Sequence, residues 1–111
     1  MASVSAQLPP GFSTQTSGLS HYASLIERPV AQVIAHFESH PQEADAVLGG
    51  SYDKRYTPST FVEEMGEKFR VGWYKNDREA VQVFDSLSEA VTDYLLLSFG
   101  KGRLVADRPV I

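Results

Sequence analysis

A chain of 111 residues with 42% hydrophobic and 11% aromatic content can bury one core and is too short for two, so a single domain is expected. The absence of cysteine excludes disulfides, thiolate metal sites and cysteine nucleophiles. Fourteen acidic against ten basic residues leave a net charge of −4, which argues against nucleic acid, whose phosphates need clustered lysine and arginine, and for a basic partner.

The first 18 residues, MASVSAQLPPGFSTQTSG, are rich in Ser, Thr, Gln, Gly and Pro, with apolar residues only singly placed. Such a composition does not bury enough surface to offset its ordering entropy, and it predicts a mobile arm ahead of a domain spanning 19–111. The same stretch lacks a basic leader followed by an apolar run, and Tyr94 to Leu97 is far too short to cross a bilayer. A cytoplasmic protein without a membrane partner is the expectation.

Ser20 to Glu27 reads as a short helix. Pro29 to Ser39 reads as an amphipathic one, with Val30, Val33, Ile34 and Phe37 at helical spacing and Pro29 in the first turn, where its missing N–H is no loss. A further turn is predicted over Gln42 to Leu48, stopped by Gly49-Gly50. Ser51 to Thr57 sets Tyr52 and Tyr56 among Asp53, Lys54 and Arg55 ahead of Pro58, and reads as a loop or an edge. In Thr60 to Glu67 a Thr60/Glu63 pair mimics a helix cap, while Phe61 and Met65 suit a strand. Strand is favoured, because Gly66 makes a tight turn into the next segment and a third strand supports an otherwise marginal hairpin.

The local signals agree from Lys68 to Gly100. Phe69, Val71 and Trp73 alternate with Arg70, Gly72 and Tyr74, which predicts a strand with one dry face. Residues 75–79 form a polar break, and Ala80 to Phe84 is a second strand. Ser86 and Glu89 have capping-box spacing, with the glutamate reaching back to the cap's own N–H. Leu87, Ala90, Val91, Tyr94 and Leu95 then mark one face of a helix ending at Gly100. Arg103 to Ala106 suits an edge strand, followed by a frayed tail. The fold class is thus α+β: N-terminal helices, a small antiparallel β-meander and a C-terminal capped helix.

No nucleophile with a base, carboxylate pair or phosphate-cradling glycine loop is recognisable, so no enzyme is expected. Gly49-Gly50-Ser51 lacks the lysine of a P-loop, and Gly100-Lys101-Gly102 follows a helix instead of opening one. His36 and His40 are four apart and share a helix side, but they offer two nitrogens while Glu38 points elsewhere. They read as solvent-facing, so no metal and no cofactor is expected. The acidic residues are more suggestive. Asp85, Glu89 and Asp93 recur every four residues and predict a stripe on the capped helix, and Glu63, Glu64 and Glu67 form a second group. Tyr52, Tyr56 and Tyr74 are candidates for partial exposure beside such charges, a combination favoured at protein interfaces. The candidate partner-binding residues are therefore Glu63, Glu64, Tyr74, Glu89, Asp93, Tyr52 and Tyr56.

The run FRVGWYKNDREAVQVFDSLSEAVTDYLLLSFG resembles small acidic immunity proteins of bacterial polymorphic-toxin and type VI effector systems. It shares with them a Gly-Trp strand, a Val-Phe-Asp strand end and a Glu-Ala-rich helix, over about a third of the chain. The resemblance implies binding to a cognate toxin domain, such as an NAD glycohydrolase or a nuclease, and occlusion of its active site without a cofactor. It transfers no interface residue. A small ligand-binding accessory or regulatory domain is the alternative.

Overall fold

The computed structural model describes residues 4–6, 8–14, 16, 18–52 and 58–105. In chain order the elements are β1 (Val4–Ser5), 3-10 turns at Ser20–Tyr22 and Leu25–Glu27, α1 (Val30–Ser39), α2 (Pro41–Tyr52), β2 (Ser59–Met65), β3 (Lys68–Tyr74), β4 (Arg78–Phe84), α3 (Leu87–Ser98) and β5 (Arg103–Leu104). Strands β2, β3 and β4 form an antiparallel meander in that order, and β1 pairs with β5 in a separate two-stranded sheet. The α+β class follows from sequence. Segment 60–67 is the strand favoured, with the β2–β3 turn at Gly66.

Helix α3 is the centre of the molecule. Ser86 Oγ accepts from the Glu89 amide at 3.3 Å and donates to Glu89 Oε1 at 2.9 Å, so the glutamate returns to the cap's hydroxyl instead of its amide. At the other end Gly100 adopts φ +70°, and the Gly100 and Lys101 amides donate to the Leu97 and Leu96 carbonyls at 3.0 and 2.9 Å. That pair of bonds is the Schellman closure a left-handed glycine allows. The side chains between these ends are not arranged on one face only: every residue from Ala90 to Ser98 is buried. α3 touches α1, α2, all three meander strands and β5, and a helix surrounded in this way has no solvent side. Its Thr92 and Ser98 hydroxyls are hydrogen-bonded inside. Thr92 Oγ1 donates to the Ser88 carbonyl at 2.7 Å, and Ser98 Oγ lies 2.9 Å from Thr60 Oγ1 on β2.

The N-terminal half differs from expectation in three places, each through tertiary contact. Residues 20–27 form two separate 3-10 turns that bury Tyr22 and Ile26. Helix α2 continues through Gly49-Gly50 to Tyr52. Each helical glycine costs about 1 kcal/mol relative to alanine, which is offset here by Ala44 and Val47 in the core and by buried Ser51, whose hydroxyl accepts from the Val62 amide at 3.0 Å. The described part of the segment read as a mobile arm is also packed down. Val4 and Ser5 pair with Leu104 and Arg103, Pro9 is buried, and the Phe12 ring lies 4.9 Å from that of Trp73. Scattered apolar residues are enough for this, because the partners they cover are already fixed.

Candidate functional site

The meander has two unlike faces. Thr60, Val62, Val71 and Trp73 are essentially inaccessible and face the α3 layer, as the alternation of β3 predicts. On the other side stand Phe61, Glu63, Arg70, Gly72 and Tyr74. Phe61 lies opposite Gly72, where a Cβ would come within 3.0 Å of the Phe61 ring and 2.7 Å of the Glu79 carbonyl. Glycine there lets the Phe61 ring approach the β3 backbone closely, with no room left for a Cβ.

Beside that ring, Glu63 is held by two arginines. Arg70 Nε donates to Glu63 Oε2 at 2.7 Å across the β2–β3 pair, and Arg78 donates through Nε and Nη2 to Oε2 and Oε1 at 3.1 and 2.9 Å. Burial pushes the Glu63 carboxyl up, but the bonds from Arg78 and Arg70 outweigh it and leave its pKa below the ordinary range. The Arg78 guanidinium also sits 5.8 Å from the Phe61 centroid and 5.9 Å from that of Tyr74. Glu63, Arg70, Arg78 and Tyr74 thus form one fixed, half-exposed patch. Arg78 was missed in sequence because the polar break hid its place at the head of β4, directly opposite Tyr74.

The other expected binding residues do not join this patch. Glu64 lies on the opposite face of β2, across from Phe69. Glu89 is committed to the α3 cap. Asp93 is a correction: it is fully buried, and no acidic stripe exists on α3. Arg103 Nη2 donates to Asp93 Oδ2 at 2.6 Å, and Oδ1 accepts from the Leu104 amide at 2.9 Å. Burial pushes the Asp93 carboxyl up, opposed by Arg103 and that amide. Arg103 also donates to the Val71 carbonyl at 3.1 Å and to the Ala80 carbonyl. Those carbonyls flank an irregularity in the β3–β4 ladder where Ala80 takes φ +53°, so the buried ion pair finishes a bulge. Tyr56 and the Tyr52 side chain lie outside the described residues.

Clefts are formed among the described residues. The one between Leu19, Tyr22, Val47 and Tyr94 encloses about 150 Å³, below the range of most small-molecule sites. A shallower groove of about 420 Å³ runs between Pro9, Val81 and Val105, and the arginine on its wall, Arg103, is already bound to Asp93. No described helix is long and apolar enough to cross a membrane. No protein-family model, curated protein or solved structure matches this chain.

Proposed function

We propose that this chain is a cytoplasmic immunity protein, which binds a cognate toxin domain through the outer face of the β3–β4 hairpin and blocks the toxin's active site. The observation that carries the reading is the patch of Tyr74, Arg78, Arg70 and Glu63. Tyrosine and arginine are the side chains that most often dominate binding energy, and here their geometry is set before any partner arrives, which lowers the entropy lost on association. Exposed Asp77 accepts from the Arg78 amide at the hairpin tip, and exposed Glu79 follows it on β4, across from Trp73 on the other face of the sheet. They supply the negative charge that the net balance of the chain predicts, while Glu63 is already neutralised by its arginines.

A toxin acting on NAD or nucleic acid lines its cleft with cations for the substrate phosphates, and the exposed carboxylates of Asp77 and Glu79, beside Lys75 and Arg78, are the hairpin groups that would meet them. Occlusion requires no reaction and no cofactor.

The test is co-expression with the protein encoded by the adjacent gene. The wild-type chain should co-purify with it and protect cells from it. Asp77→Lys with Glu79→Lys should slow association most at low salt, and Tyr74→Ala should speed dissociation. Cells that die regardless of this protein would sink the proposal.

A further inference from the structure

The corner between α1 and α2 gathers three metal-ligating side chains that take no part in the sheet-face patch. His36 and His40 are one helical turn apart, with ring centroids 4.4 Å apart and planes 19° from parallel. Glu43 comes from the first turn of α2 and brings Oε1 to 3.1 Å from His36 Nε2. One donor atom from each of the three lies within 4.8 Å of the others. Their spacing of i, i+4 and i+7 is that of one helix face, and across the break between α1 and α2 at His40-Pro41 Glu43 remains in contact with His36.

His36 Nε2 donates to Glu43 Oε1 at 3.1 Å, and an ion would replace that proton: in a tetrahedral zinc site with bonds of about 2.0–2.1 Å, neighbouring donor atoms stand about 3.3 Å apart, close to this separation. His40 Nδ1 lies 2.8 Å from the His36 carbonyl oxygen, which only accepts, so Nδ1 carries the proton and Nε2 keeps its lone pair. Fixing the tautomer through a backbone carbonyl is how ligating histidines are commonly oriented. The buried Tyr22 hydroxyl approaches Glu43 Oε1 to 3.5 Å from a third segment and steers the carboxylate.

We propose that His36, His40 and Glu43 form a binding site for a divalent transition-metal ion of the zinc type, with water completing the coordination. Two imidazoles select such an ion over magnesium or calcium, which take oxygen ligands. The ion would tie the end of α1 to the start of α2 and so raise the melting temperature by linkage.

The experiment uses the full chain after EDTA treatment, titrated calorimetrically with zinc chloride and, separately, magnesium chloride. One zinc per chain is expected, with a rise in Tm and no comparable response to magnesium. His40 is exposed and Glu43→Gln keeps the side chain's size, so His40→Ala and Glu43→Gln should fold normally and each weaken zinc binding on the order of tenfold or more. His21→Ala should leave it unchanged. Zinc affinity unaltered in both His40→Ala and Glu43→Gln, or a magnesium response equal to that of zinc, would overturn the assignment.

Discussion

Two carboxylates in this protein are each gripped by arginine, and their surroundings give the same chemistry opposite uses. Asp93 and Arg103 are sealed among α3, β5 and the β3–β4 bulge, with side chains 0% and 8% exposed. Glu63 with Arg70 and Arg78 sits on the outer face of the meander, with those side chains 21%, 30% and 39% exposed. In the interior, attraction has to offset the loss of hydration of both ions, and removing either partner strands the other. At the surface the ions keep part of their water, so the cluster adds modest stability and instead holds Tyr74 and Arg78 in place. The buried pair therefore serves the fold, and the exposed cluster is the surface we propose for recognition.

The largest effect should come from the interior. Asp93→Ala should cost about 3–5 kcal/mol in urea unfolding, since it leaves the Arg103 guanidinium buried and uncompensated. Replacing both partners, as Asp93→Leu with Arg103→Met, should recover part of this. Recovery stays incomplete because Arg103 also serves the Val71 and Ala80 carbonyls. A loss under about 1 kcal/mol for Asp93→Ala would mean that water reaches the pair and that the contrast drawn here is false.

Glu63→Gln should cost less, about 1–2 kcal/mol at neutral pH, as befits charge-assisted bonds that are half screened by solvent. Because its pKa is lowered in the folded state, the contribution is fully present above the ordinary carboxylate value of 4.5 and is lost as pH falls through the folded value. The stability gap between wild type and Glu63→Gln should therefore close on acidification below that point. A gap that does not change between pH 7 and pH 3 would show that the Glu63 ion pairs contribute nothing to it.

The smallest effect belongs to Lys68 and Asp85, a 2.9 Å pair whose side chains are 48% and 61% exposed. Asp85→Asn should change the denaturation midpoint by no more than about 0.5 kcal/mol of stability. A larger loss would place this pair with the structured cluster on the sheet face.

Local signals were legible where neighbours in sequence settle the structure between them. The Phe69, Val71 and Trp73 alternation, the Ser86 cap and the Gly100 stop are each complete within a few residues, and all three appear where the sequence placed them. Which of Glu63 and Glu64 shares a face with Tyr74 was not legible, because that depends on the register between β2 and β3. The fates of Asp93 and the N-terminal segment were decided by tertiary structure. Asp93 has the spacing of a surface residue, and only the arrival of Arg103 ten residues later makes its burial tolerable. Glu43 stands at i+7 from His36, a same-face spacing that the sequence already carries, whereas Phe12 is held because Trp73, 61 positions away, offers it a ring. A pattern along the chain records which side of an element is apolar. It does not record what will be packed against the other side, and that packing determines whether a charge meets water, an arginine or a metal ion.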